Sequence, residues 1–297
     1  MGRIAYVTDL HLGAPETRVR LGSFGNKINK LPAHTAAVCL TSDTFTLVGG
    51  PIWNPMIARP LTENEVKERG KISWEVVDQW MKPLLASIPK GLPVYIVPGN
   101  ADFLAYVQLA GLGVASGPFQ CLDGKVSDVN SLYLLGAGAI TPNDENASRI
   151  LQYNPWYGGI ISAEAFKLVL GDLLTATNSW QPNEWASAVL MTHMPAFGHV
   201  DQFKGQSQGS SDVLNFIRTQ KPLLHLAGHV HDGPFAGGEY LPWSIVNRFT
   251  ISLNAGGGQQ HDSEQGVRLL SIDVDALVEG RRIGRLEQAA EEAIVSL

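Results

Sequence analysis

Charge is scarce in this chain. Asp, Glu, Lys and Arg make up 17% of its 297 residues, against about a quarter in ordinary soluble domains. With 44% hydrophobic residues, that excludes a chain held unfolded by charge and low hydrophobicity. The charges sum to −6, so duplex DNA or RNA, which needs a basic surface, is not an expected partner. A small phosphorylated substrate stays compatible, because a metal ion can supply local positive charge. Cysteine is also scarce. Cys39 and Cys121 are too few and too far apart for a disulfide framework or a zinc knuckle, and read as two buried thiols in a reducing compartment. Long apolar runs are missing. The start, RIAYVT, enters a strand directly, with no signal-peptide pattern, and SLYLLGAGAI is about half a membrane span. A cytoplasmic protein with no membrane partner is expected. Repeats, low-complexity tracts and long linkers are absent too, so residues 1–297 read as one domain, long enough for a sizeable core.

What is present is a series of short apolar runs ending in Gly, Asp, Asn or His: IAYVTD, TFTLVGG, VYIVPGN, LYLLGAG, AVLMTH, LLHLAGH, FTISLNAGG and VRLLSIDV. These predict buried strands. Helices are expected between them. Thr62–Glu65 forms a capping-box pattern, Ser162 can cap AEAFKLVLGDLL, and Ser211 can cap DVLNFIRTQ, which stops before Pro222. Alternating strands and helices predict a layered α/β domain. Residues 52–72 and 233–248, irregular and punctuated by Pro or Gly, are candidate lids or ordinary surface loops.

Six potential ligands fall at the ends of predicted strands: Asp9 and His11 in VTDLHLG, Asn100 in VPGNADF, His193 in LMTHMP, and His229 and His231 in LAGHVH. Ligands of open α/β sheets gather at the carboxyl ends of strands. Residues two apart on extended chain point the same way, which pairs Asp9 with His11 and His229 with His231. Carboxylate with imidazole suits manganese, iron, zinc or nickel rather than calcium. No Ser-His-Asp or Cys-His arrangement competes as a nucleophilic site.

This order of motifs resembles the calcineurin-like metallophosphoesterases, whose pattern is Asp-x-His, Gly-Asp, Gly-Asn-His/x, His and Gly-His-x-His. The stretch from THMPAFGHVDQF to LLHLAGHVHDG resembles the Icc-like predicted phosphoesterases. The similarity spans roughly residues 3–275. It implies a four-layer α-β-β-α sandwich of two mixed sheets. It also implies a site for divalent transition metal, with Asp9, His11 and His231 on a first ion, Asn100, His193 and His229 on a second, and an Asp bridging both. The implied reaction is hydrolysis of a phosphomonoester or phosphodiester by in-line attack of metal-bound hydroxide.

Two departures qualify the resemblance. The bridging-Asp block aligns with Gly50-Pro51-Ile52-Trp53-Asn54, which puts Pro51, or Gly50 on a shift by one, where the shared carboxylate belongs. Asp43 begins the predicted strand TFTLVGG and is expected at its far end, away from the site. Without an anionic bridge, weaker binding of one or two ions follows, and the alternative is an impaired pseudo-phosphoesterase acting as a binding or scaffold protein. Ala101 replaces the histidine that contacts substrate in many members. His199 is a candidate proton donor in its place, and Asp102 a candidate to orient the Asn100 loop. Arg18 and Arg20 read as a solvated pair with phosphate binding as the sharper option, and His225 as a hydrogen-bonded core residue. A nuclease acting on nucleic acid ends is disfavoured by the negative charge and the lack of a basic, aromatic groove.

Overall fold

The computed structural model describes residues 2–12, 17–44, 79–80, 82–99, 119–138, 162–231, 233–235, 240–256 and 267–297. The described elements run β1 (Arg3–Val7), α1 (Thr17–Ile28), β2 (Thr35–Leu40), β3 (Val94–Ile96), β4 (Phe119–Cys121), β5 (Lys125–Val129), β6 (Leu132–Ala137), α2 (Ala163–Ala176), α3 (Pro182–Trp185) and β7 (Ala188–Thr192). They continue with β8 (Gln202–Phe203), β9 (Gln206–Ser207), α4 (Ser211–Gln220), β10 (Leu224–Ala227), β11 (Trp243–Val246), β12 (Thr250–Asn254), β13 (Leu270–Asp273), α5 (Val274–Arg282), α6 (Leu286–Ala293) and β14 (Ile294–Ser296). A further helical stretch covers 82–87.

Two six-stranded sheets result, ordered β14-β13-β1-β2-β3-β4 and β11-β12-β10-β7-β6-β5. Each is mixed. In the first, β1 to β4 pair in parallel while β13 and β14 add antiparallel. In the second, β6, β7, β10 and β12 are parallel and the two edges antiparallel. Parallel neighbours bring their carboxyl ends to the same edge, which is where the site forms.

The period of two along the strands divides the core. Ile4 and Tyr6 of β1 face Val189, Met191, Leu224 and Leu226 of the second sheet. The alternate residues Ala5 and Val7 pack outward on Phe24 and Ile28 of α1 and on Leu84. On the far side, Leu190 of β7 meets Phe166, Leu170 and Leu173 of α2, together with Val213 and Ile217 of α4. This is the expected four-layer α-β-β-α sandwich, two mixed sheets face to face with helices outside. Both thiols are buried as anticipated, Cys39 between the sheets and Cys121 on the outer face. No described helix is long and apolar enough to cross a membrane.

Three expectations need correcting. The strand TAAVCL (β2) was overlooked, because Ala36 and Ala37 give it a weak strand signal although its place between β1 and β3 makes it central. Thr44 lies beyond β2 outside any strand, and the rest of TFTLVGG falls outside the described residues. The helix expected to be capped by Ser211 is capped by Ser210, whose Oγ accepts the Val213 N–H at 3.3 Å. Within 233–248, residues Trp243–Val246 are no loop but an edge strand paired with β12. Ser162 caps α2 as expected, accepting from the Ala165 N–H at 3.1 Å.

His225 is the buried core histidine that was anticipated. Its Nε2 meets Thr192 Oγ1 at 2.8 Å and its Nδ1 meets Ser252 Oγ at 2.8 Å. Thr192 donates its own proton to the Met194 carbonyl, so Nε2 donates to Thr192 and Nδ1 accepts from Ser252. Burial pushes this imidazole down to about 3. A folded-state value below the unfolded one gives stability that is complete above about pH 6.5 and drains away as pH falls toward 3. His225→Gln is therefore expected to lose less stability than wild type between pH 7 and pH 4, whatever its stability at pH 7. Denaturant titrations at the two pH values check this.

Candidate metal centre

Two pairs of loops meet at the carboxyl edge of the sheets. After β1 and β2 the chains stay paired: the Asp9 N–H donates to Ser42 O at 2.7 Å and the His11 N–H to Asp43 O at 2.8 Å. In the second sheet the Gly228 N–H donates to His193 O at 2.8 Å. Asp9, His11, Asp43 and His229 all have positive φ, at 53°, 47°, 53° and 66°. The two Asp/His and His/His pairs are thus not on extended chain as the sequence suggested. Non-glycine residues in this region are uncommon and concentrate at functional sites.

The side chains form two overlapping groups. Asp9, His11 and His231 bring one donor atom each within 4.8 Å of the others, and so do Asp9, Asp43 and His193. In the first group, His231 Nε2 lies 3.3 Å and His11 Nε2 3.8 Å from Asp9 Oδ1, and the two imidazole nitrogens are 3.2 Å apart. In the second, His193 Nε2 lies 3.5 Å from Asp43 Oδ2. The His229 ring stands edge-on to that of His193, with centroids 5.2 Å apart.

Asp43 therefore is not remote. The strand preceding it is β2, so Asp43 follows the carboxyl end of β2 much as Asp9 follows β1. Next to burial, its charge is the largest influence on His11, and His193 the largest on Asp43 itself. It belongs to the second group with Asp9 and His193, and its charge reaches His11 of the first, while Asp9 is the member common to both. The loop after β3 presses close against it: a Cβ on Gly99 would run into the Asp43 carboxylate and backbone. Pro51 and Gly50 lie outside the described residues, and among the described residues the carboxylate common to both groups is Asp9.

The electrostatics suit a cation. Burial pushes the Asp9 carboxyl up, but His231, His193 and His11 outweigh it and hold Asp9 well below the usual carboxylate range. Asp43 is likewise penalised by burial yet lowered by His193 and His11. Burial takes His11 and His229 down to about 4, leaving both neutral at pH 7. Deprotonated carboxylates and neutral imidazoles are the forms that ligate metal. For His193 burial also opposes charge, but Asp43 prevails and lifts it to about 9, so a proton takes up the positive charge a cation would bring. Its Nδ1 donates to the Thr41 carbonyl at 2.7 Å, which aims Nε2 into the site. Carboxylate and imidazole donors in two groups fit divalent transition metal.

The calcineurin-like phosphoesterase family model matches residues 2–233. The chain belongs to that family. One crystal structure superposes with a TM-score of 0.67 at 15% identity, covering 93% of this chain and 96% of that one. The protein TT1561 of Thermus thermophilus gives 0.54 at 13% identity, over 93% and 95%. These likenesses establish the fold. A UPF0046 protein of Caenorhabditis elegans is 39% identical over 51 residues, which is 17% of this chain and 17% of that protein.

Of the residues expected in the site, Asp9, His11, His193, His229 and His231 are brought together, while Asn100, Ala101 and Asp102 lie outside the described residues. His199 belongs to neither donor group. Its Nδ1 bonds Ser244 Oγ of β11 at 3.1 Å, and the charges that influence it are Asp201 and Arg218. Arg20 is buried rather than solvated, donating to the carbonyls of Leu10 and His11 at 3.3 and 3.5 Å, whereas Arg18 is exposed. Asp43 and Thr41 are the site residues that sequence reasoning missed. The signal was there in CLTSD, a buried run ending in Asp like the YVTD of β1.

Proposed function

We propose that the chain hydrolyses a small phosphate ester, with Asp9, His11 and His231 around one divalent cation, His193, His229 and Asn100 around a second, and Asp43 shared. Manganese, iron, zinc and nickel suit this donor set. Bound there, such cations supply Lewis-acid charge to a phosphoryl oxygen and lower the pKa of water. The chain's own part is to hold the donors in place. Thr41 O fixes the tautomer of His193, Arg20 ties down the carbonyls of the His11 loop, and Thr8 Oγ1 donates to Asp9 Oδ2 at 2.6 Å. The observation that supports this reading is the adjoining pair of carboxylates, Asp9 common to both donor groups and Asp43 beside His193 and acting on His11. Asp43 beside His193 supports turnover over a scaffold role, because it supplies a second buried carboxylate at the site. The buried thiols favour a reducing compartment such as the cytoplasm.

With Ala101 where many members carry histidine and His199 turned to Ser244, leaving groups that need protonation should react slowly. Protein purified without chelators is expected to carry transition metal and to hydrolyse nitrophenyl mono- or diesters far faster than alkyl esters, by about a hundredfold or more. Elemental analysis and rates measured with each of the four metals check this. Metal-free protein with no turnover under any of them contradicts it.

A further inference from the structure

Asn254, the last residue of β12, is fully buried, and its side-chain hydrogen bonds go to no side chain of either donor group. Its side-chain amide is nonetheless used on both sides. Nδ2 donates to Val230 O at 2.9 Å and to Val200 O at 3.1 Å, with Gly228 O a longer third acceptor at 3.5 Å. Oδ1 accepts the Gly256 N–H at 2.9 Å. This pattern fixes the amide orientation, because a reversed amide would set its oxygen against three carbonyls.

The carbonyls held this way bracket His229. Gly228 O and Val230 O belong to the residues before and after it, and His229 itself has φ 66°. That conformation aims the His229 N–H at the Asp9 carboxylate, 3.2 Å from Oδ2 and 3.3 Å from Oδ1. It also divides the two histidines of the motif, His229 beside His193 and His231 beside Asp9 and His11. Val200, whose carbonyl shares the same Nδ2, is a β-branched residue at φ 50°. Such conformations persist only where the surroundings over-determine them. Close packing does the rest: a Cβ on Gly233 would meet Val200 O and lie 3.2 Å from Asn254 Nδ2, and one on Gly256 would lie 3.0 Å from His231 O.

We infer that Asn254 is a positioning residue for both donor groups, holding the His229–His231 loop in its left-handed turn so that one histidine enters each group. The inference rests on the metal reading above. It predicts that Asn254 matters by its hydrogen bonds and not by its volume. Asn254→Asp, nearly the same shape but an acceptor facing three carbonyls, should bind Co²⁺ roughly 10- to 100-fold more weakly than wild type. Asn254→Ser, which keeps one donor, should fall between them. Ile251→Val, a core trim on the same strand, should leave affinity unchanged.

The test is chelator competition for Co²⁺ with the visible spectrum of the bound ion as a second readout, alongside amide exchange at His229 in metal-free protein. Weaker binding, an altered cobalt spectrum and faster His229 exchange in Asn254→Asp, or in Asn254→Ser if the Asp variant does not fold, are the expected result. Wild-type affinity, spectrum and exchange in the folded variants would overturn the inference. Wild type that binds no Co²⁺ sinks the metal reading instead, and His229 exchange then decides separately whether Asn254 holds the loop.

Discussion

Asp43→Asn should lower phosphoester hydrolysis by roughly a hundred- to a thousandfold and halve the metal content. The substitution keeps the shape of the side chain and removes only the charge, so the effect isolates the shared carboxylate. Two cations at neighbouring sites repel each other strongly in a water-poor environment, and an anion between them is the natural compensation. Asp43 is proposed for that role beside Asp9, lying 3.5 Å from His193 Nε2 and being the foremost charge acting on His11. Removing a single preorganised charged group from such a site commonly costs two to three orders of magnitude in rate. Metal-free protein should report the change as well: without Asp43, His193 loses the main influence that keeps its imidazolium stable up to about 9. Rates, elemental analysis and the His193 titration followed by NMR check the three parts. Unchanged rate and metal content would mean that Asp43 is a bystander.

Gly228→Ala should be nearly as damaging by a different route. A Cβ at Gly228 would collide with Thr8 Oγ1 and lie 2.7 Å from Asp9 Oδ2 and 3.2 Å from Thr41 O. Those atoms belong to the loops after β1 and β2, so the strain falls directly on the site where the two sheets meet. The neighbours are hydrogen-bonded and buried, with Thr8 donating to Asp9, and cannot yield cheaply. Overpacking of this kind costs about 1–3 kcal/mol, occasionally more, or a fall of several degrees in Tm at roughly 2–4 °C per kcal/mol. Metal affinity should drop with it, since Asp9 must move. Gly171→Ala is the contrast. Nothing lies within 4 Å of a Cβ there, and its place inside α2 should make the change stabilising by about 1 kcal/mol. Thermal melts of the two variants, with and without Mn²⁺, separate site strain from a general glycine effect.

Most of the layered architecture could be read from the chain because the strands that carry it are strongly apolar and end in turn-forming residues. IAYV, LYLLGA, AVLM, LLHLA and TISLN each became a strand. The one that was missed had the largest consequence. TAAVCL is interrupted by Ala36 and Ala37, which weaken its strand signal despite Thr35 and Val38, so the neighbouring TFTLVGG drew the alignment. Only the sheet, with β2 paired to both β1 and β3, reveals Asp43 as the counterpart of Asp9. The histidines were legible because a metal site needs them at strand ends. Their backbone was not, since an alternating pattern cannot report that Asp9, His11 and His229 lie in left-handed turns. Asn254 was also invisible, because a residue that acts through three carbonyls leaves no spacing pattern in the sequence.

Asp43 should lie between two metal positions. Anomalous diffraction from crystals grown with Mn²⁺ tests it most directly. Two manganese peaks are expected, one beside Asp9, His11 and His231 and the other beside His193 and His229, with an Asp43 oxygen coordinating each. Peaks with Asp43 turned away from both, or a pair bridged by some other residue, would contradict it.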